Sequence, residues 1–146
     1  DPIARGAFFG LTLRHTQADL YRALLEAVAF GMRHNLEKMA DEDIDVKLIN
    51  AVGGGAKNLG WMQLIANIAD VDVRIPQGIS GASYGDAILA GIGVGLYKDA
   101  SQAKVWDEAA LQLKPDHADV EVYDRLYSVY LDLYQQTRNL LPSLTL

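Results

Sequence analysis

The sequence predicts an α/β domain, a small sheet with at least some parallel pairing and helices packed on it. Three observations carry this. Strand-like and helix-like stretches alternate as strand, helix, strand, helix, strand, helix, and one more helix closes the chain. The most strand-like stretch, residues 46–52 (VKLINAV), runs straight into three glycines and an amphipathic helix. The 146 residues, 50% hydrophobic and 22% charged, are enough for one core. Neither an internal repeat nor a low-complexity linker divides them.

The elements follow in order. Residues 6–13 (GAFFGLTL) are apolar, aromatic and bracketed by glycine, and predict a short buried strand. Thr16 and Asp19 stand in capping-box order, a hydroxyl three residues ahead of an acid. Behind them Leu20, Leu24, Ala27, Val28 and Gly31 recur at helical spacing to about Met39, with Gly31 marking a place for close packing. Residues 41–45 (DEDID) form an acidic surface turn ahead of the strand at 46–52. After the glycines, Trp61, Leu64, Ile65 and Ile68 line one face of the second helix. Residues 71–76 (VDVRIP) alternate as a shorter strand that the proline stops.

Residues 78–82 predict a turn, after which Ser83 and Asp86 can cap a third helix over 87–95. That helix is rich in small residues. Gly91, Gly93 and Gly95 each lower its propensity by about 1 kcal/mol relative to Ala, which implies either close packing or an early end. Residues 98–115 read as irregular, with one short helical piece at 106–111. The last helix runs from about Asp116 to Leu140 and carries Tyr123, Tyr127, Tyr130 and Tyr134 along one stripe, expected to dock on the sheet. Three strands are few for this much helix. The chain also opens Asp1-Pro2-Ile3-Ala4-Arg5-Gly6 and its first Met is Met32, so a piece of a longer polypeptide is expected.

Composition excludes several kinds of function. A net charge of -6 opposes non-specific binding to nucleic acid or to an anionic membrane, both of which need a basic face. The same charge turns the tyrosine stripe away from a role as a base-stacking platform. With no cysteine, a disulfide framework, a thiolate metal site and a cysteine nucleophile are all absent. No apolar run nears the roughly 18 residues that would span a bilayer, and no signal sequence opens the chain. A soluble, cytoplasmic protein is expected. Nothing in the sequence decides against a homodimer.

The glycines after the best strand are the strongest chemical feature. At a strand-to-helix junction, glycine lets the backbone approach a ligand and supplies positive φ. The first N–H groups of the following helix lack internal partners and favour phosphate. No Gly-Lys-Ser/Thr follows, so this is no P-loop. Gly53-x-Gly55-x-x-Asn58 ends in Asn where the dinucleotide fingerprint needs a third glycine. The residues alone leave two readings open: a nucleotide touching Gly53, Gly54, Gly55, Ala56 and Asn58, or a tight turn that packs strand against helix.

Residues 53–73 (GGGAKNLGWMQLIANIADVDV) resemble the adenosine-side motif of the FGGY family of carbohydrate kinases. Upstream, Asp1-Pro2-x-Ala4-Arg5-Gly6, Gly10-Leu11 and residues 21–26 (YRALLE) are similar to the segment that precedes it in that family. Downstream, residues 81–90 (GASYGDAILA) resemble its next helix start, so the resemblance covers residues 1 to 97 in order. It implies a ribonuclease-H-like domain of the actin and hexokinase kind, incomplete, with a small mixed sheet flanked by helices. Two such domains would enclose a cleft in which the γ-phosphoryl of MgATP passes to a sugar or polyol hydroxyl.

By the resemblance, residues 1–146 would be the C-terminal nucleotide-binding domain without its first strands. The small-molecule sugar would bind chiefly to the missing N-terminal domain. ATP and its Mg2+ would be the cofactors. Gly53, Gly54, Gly55 and Ala56 would offer backbone contacts, and Asn58 a side-chain contact to base or ribose. The family's general base is an Asp with no match here, so no catalytic residue and no metal ligand are assigned. The spacing from Ala56 to Gln63 fits xylulokinase-like members better than glycerol kinases. A non-catalytic actin-like regulatory module is the alternative; a free-standing Rossmann-like domain is weakened by the broken fingerprint.

Other residues read more plainly. Asp86 fits a helix cap better than an acid near phosphates, and Gly81 and Gly85 either face the nucleotide or shape a turn. Arg22 and Glu26, four apart, predict an exposed ion pair worth a few tenths of a kcal/mol. His15, His34 and His117 lie apart from clustered carboxylates and predict no metal site. Lys57 is expected in solvent, and Arg5 either meets another domain or caps a helix.

Overall fold

The computed structural model describes residues 4–76, 82–101 and 110–144. Helix α1 spans Gln17–Ala40 and opens on the expected box: Asp19 N–H donates to the Thr16 hydroxyl, and the Asp19 carboxylate accepts from the Thr16 backbone at 2.7 Å. Strand β1 is Leu48–Asn50 and helix α2 Leu59–Ala69, closed by Asp70 in the left-handed region (φ 49). Strand β2 is Asp72–Ile75, α3 Ala82–Gly93, β3 Leu111–Leu113 and α4 His117–Thr137.

The sheet is mixed, in the order β1-β2-β3. β1 and β2 run parallel with Ile49 beside Val73, joined through α2; β2 and β3 run antiparallel with Arg74 beside Gln112. Helix α2 is the centre of the packing. It touches β2 and β3 on one side and α1 and α4 on the others. Ile65, Ala66 and Ile68 bury with Val73 and Ile75 beneath them and with Ala29, Phe30, Tyr123 and Tyr127 around them. Removing that much apolar surface from water is the main stabilising term.

The expected strand at 6–13 is absent. Those residues form no regular element, and Phe8, Phe9, Leu11 and Leu13 are exposed. A strand satisfies its backbone groups only against a neighbour, and among the described residues none lies beside this one. β3, by contrast, falls in a stretch that read as irregular. Three residues are too few to show a period, and the Gln112 amide bond to Asp72 at 2.6 Å helps hold them on β2. Leu111 therefore sits in a strand, while the rest of the short helical piece expected around it lies mostly outside the described residues.

The third helix begins at Ala82, so Ser83 and Asp86 stand inside its first turns and not ahead of it. The turn expected at 78–82 lies outside the described residues except for Ala82. Its glycines divide the two roles. Gly91 gives close packing, since a Cβ there would stand 2.5 Å from the Tyr97 ring. Gly95 (φ 78) ends the helix, with its N–H bonded to Ile92 O and that of Leu96 to Gly91 O at 2.8 Å.

The tyrosine stripe packs against helices, not the sheet. Phe30 of α1 meets Tyr123 edge-on at 6.0 Å and stacks with Tyr127 at 5.9 Å and Tyr130 at 5.4 Å. Rings on α4 face α1 because the sheet-facing positions are already taken by α2. The expected Arg22–Glu26 pair forms at 2.8 Å with Arg22 exposed, but Glu26 is largely covered and the pair joins this seam: Arg22 donates to the Tyr123 hydroxyl at 3.0 Å, which donates to Glu26 at 2.8 Å. One turn on, Tyr127 donates to Glu37 at 2.7 Å and Arg33 reaches Asp124 at 2.7 Å.

Burial first, then the bond to Glu37, pushes the Tyr127 phenol well above its ordinary range, and burial pushes Tyr123 up as well. A group whose pKa is raised by folding stabilises the fold fully below its unfolded value, about 10 for tyrosine, and that contribution fades as pH climbs through the folded value. Stability of the full-length polypeptide, followed by circular dichroism in urea, should therefore fall above pH ~10. Tyr127→Phe should make that fall shallower. An equally steep fall in the variant would take Tyr127 out of the account.

Candidate functional site

Beyond Asn50, the Ala51 N–H still bonds to Arg74 O at 2.8 Å, and then the chain leaves the sheet. Gly53 takes φ 87, a conformation that a Cβ makes expensive. Gly54 is right-handed (φ -62, ψ -40) and leads into a 3-10 turn over Gly55–Lys57. The turn closes through Lys57 N–H to Gly54 O at 3.3 Å and Asn58 N–H to Gly55 O at 3.0 Å. Asn58 then caps α2, its Oδ1 accepting from Trp61 N–H at 3.1 Å.

Burial divides this loop sharply. Ala56 is 7% exposed and pins it to the core, whereas Gly53, Gly54 and Gly55 face solvent. A Cβ on Gly53 or Gly54 would meet nothing within 4 Å, so open space lies over the outer backbone. On the inner side a Cβ on Gly55 would stand 2.9 Å from Cζ3 of Trp61. The loop sits at the C-terminal end of a parallel strand, the edge where open α/β sheets hold ligands. It also forms the N-terminal approach to α2, whose first turn has no acidic residue, with Lys57 exposed beside it. The local field there favours an anion.

All five residues expected to hold nucleotide thus come together in one loop. Asn58 differs from the expectation in one respect. Its Oδ1 is taken by the cap, so the amide NH2 is the group it has to offer a base or ribose. Of the other residues weighed, Asp86 is exposed on α3, Gly85 is half-buried there, and Gly81 lies outside the described residues. Among the described residues no three His, Asp or Glu side chains are grouped closely enough to hold a metal ion. No helix among them is long and apolar enough to cross a membrane.

Two open surface grooves of about 560 Å³ each lie elsewhere. One is lined by Gln63, Asn67, Lys114, Asp116 and Asp119 where α2 meets the start of α4. The other lies between α1 and α4, against Gly31, His34, Tyr130 and Tyr134. Neither includes the glycine loop.

Two residues on α2 organise the surroundings. Asn67, 2% exposed, accepts from Gln63 at 2.8 Å and from Asp116 N–H at 3.0 Å, and donates to Asp119 at 2.7 Å. It ties α2 to the start of α4 with its polar atoms satisfied. A lone Asn between Ala66 and Ile68 on a buried face was the available signal. Trp61 donates its indole N–H to Leu25 O of α1 at 3.2 Å and lies against the core. Periodicity put Trp61 on the buried face but carries no information on its contact with Gly55.

The sequence matches the model of the C-terminal domain of the FGGY family of carbohydrate kinases over residues 1–94. It is 32% identical over 145 residues to a xylulose kinase of Staphylococcus epidermidis, covering 99% of this chain and 29% of that protein. A glycerol kinase of Enterococcus casseliflavus is 39% identical over 128 residues, 87% of this chain and 25% of that protein. In three dimensions it resembles the xylulose kinase from Rhodospirillum rubrum, with a TM-score of 0.84 and 34% identity over 97% of this chain and 29% of that one. The chain therefore spans under a third of the length of the relatives it matches.

Proposed function

The chain belongs to the FGGY family of carbohydrate kinases, with the ribonuclease-H-like fold of its structural relatives, and from that premise we propose that it forms the nucleotide side of a sugar or polyol kinase. Residues 1–146 are then the C-terminal nucleotide-binding domain without its first strands, and the acceptor binds mainly to an N-terminal domain. The carrying observation is the glycine loop: a positive-φ turn at the end of β1, exposed outside, anchored by Ala56 inside, leading into α2. Backbone of Gly53, Gly54, Gly55 and Ala56 lies along the nucleotide, and the Asn58 amide donates to base or ribose.

Phosphoryl transfer needs little covalent work from the protein, and most of its rate comes from positioning and charge. Holding adenosine fixes the distal end of ATP, so the γ-phosphoryl lies where the acceptor hydroxyl can attack it in line. When bound with ATP, Mg2+ would neutralise charge developing on the phosphates. Closure of the cleft keeps water from competing as acceptor. Such a kinase works in the cytoplasm, where MgATP is abundant. The short spacing from Ala56 to Gln63 supports a xylulose-like ketose as acceptor.

The test is MgATP-dependent ADP release by the full-length polypeptide against ketopentoses, aldoses, gluconate and glycerol, with a no-sugar control. Release stimulated by one class, ketopentoses first, is the expected result. ADP binding with no stimulation by any of them would favour the non-catalytic regulatory module.

A further inference from the structure

We infer that Trp61 is a positioning residue for the nucleotide loop, an inference that rests on the nucleotide reading above. One residue joins three parts of the site, two of them through its side chain. Its ring lies against the inner face of Gly55, so close that an added Cβ would stand 2.9 Å from Cζ3 and 3.6 Å from Cε3. Its backbone N–H holds the Asn58 side chain at 3.1 Å, and its indole N–H reaches Leu25 O on α1 at 3.2 Å. The ring is not free to retreat. It packs against the same core cluster that buries Ala56, and its one polar atom is tied to a different helix.

The consequence is a fixed height for the loop. Ala56 pulls the 3-10 turn inward, and the indole under Gly55 stops it. A large planar ring with only two χ angles is a stiff support. Glycine at 55 is required by this contact, not by its φ, because positive φ in this loop is confined to Gly53. Without the indole the loop can settle toward the core, and its outward N–H groups lose their alignment to a bound nucleotide. Trp61 touches no ligand, and its ring acts through Gly55; the bond to Asn58 comes from the backbone and is kept by any residue at 61.

The experiment compares Trp61→Leu, Trp61→Phe and Gly55→Ala in the full-length polypeptide, with Gly54→Val as a reference for the nucleotide reading. Trp61→Leu should raise the KM for ATP roughly fivefold to tenfold, with kcat and the KM for the sugar unchanged. Trp61→Phe keeps a ring beneath the loop and should recover most of that loss. Gly55→Ala pushes on the ring from the other side and should raise the same KM in the native background. In Trp61→Leu it should add little, because the two changes act on one contact.

An unchanged KM for ATP in both Trp61→Leu and Gly55→Ala, with Gly54→Val still impaired, overturns the positioning role alone. Parallel loss of kcat and sugar affinity in Trp61→Leu overturns it too, since general loosening would explain that. If Trp61→Leu fails to fold, Gly55→Ala and Trp61→Phe decide by the same criterion. If Gly54→Val itself leaves ATP dependence unchanged, the nucleotide reading fails first.

Discussion

Gly54→Val in the full-length polypeptide is expected to raise the KM for ATP roughly 10- to 100-fold while kcat and sugar affinity stay close to native. The magnitude is that of one lost hydrogen bond to a charged group, about 1.5–3 kcal/mol, converted at 1.4 kcal/mol per tenfold. The position makes this a clean probe. Gly54 has φ -62 and ψ -40, which valine adopts, and its Cβ would find no heavy atom within 4 Å. The fold therefore has little reason to object. The new side chain instead occupies the open space over the loop, where a nucleotide would approach the backbone.

Gly53 is a poorer choice, because at φ 87 any side chain strains the turn itself and confuses stability with binding. A rise in KM at constant kcat identifies binding shared by ground state and transition state, as expected for contacts to the non-reacting end of the nucleotide, its α-phosphate included. Initial rates against ATP at saturating sugar give the answer. Unchanged ATP dependence would remove residues 53–58 from the site.

Phe30→Ala should destabilise the fold by about 3–5 kcal/mol, the usual range for removing a buried phenylalanine. That is a large part of the 5–15 kcal/mol that typically separates folded from unfolded domains. The ring is 8% exposed and is the meeting point of α1 with Tyr123, Tyr127 and Tyr130 of α4, so its removal opens a cavity along that whole seam. Urea unfolding is the measurement, with Phe30→Leu expected to lose about half as much. A loss under about 1 kcal/mol would mean that the hydrogen bonds of Tyr123 and Tyr127 to Glu26 and Glu37 hold α4 without the ring.

Much of this domain is legible in its residues. The capping box at Thr16 and Asp19, the apolar face of α2 and the proline after β2 are local signals and appear where expected, while the strand expected over 46–52 is present only as Leu48–Asn50 and stops short of Gly53. Local signals work because caps, positive φ and helical periodicity depend on residues within about one or two turns of each other. The turn of the glycine loop belongs with them, since the positive φ of Gly53 and the bonds of Lys57 and Asn58 to Gly54 and Gly55 are local, while the burial of Ala56 is not.

Contacts made at long range are a different matter. The strand expected at 6–13 and the unexpected one at 111–113 differ not in strand character, which is greater in the first, but in whether a partner strand stands alongside. The tyrosine stripe was visible as a stripe, yet which surface it covers was settled by α2 filling the sheet-facing layer first and leaving Phe30 to receive the rings. Arg22 and Glu26 read as a surface pair because Tyr123 lies roughly a hundred residues away in sequence, at a separation of 101. Trp61 under Gly55, and its hold on Leu25, are of the same kind. Element type, ends and the glycine turn follow from short-range sterics and hydrogen bonding, which one sequence states directly; pairing, docking faces and the support beneath the loop follow from which surfaces compete for burial, and that competition exists only once the chain has closed on itself.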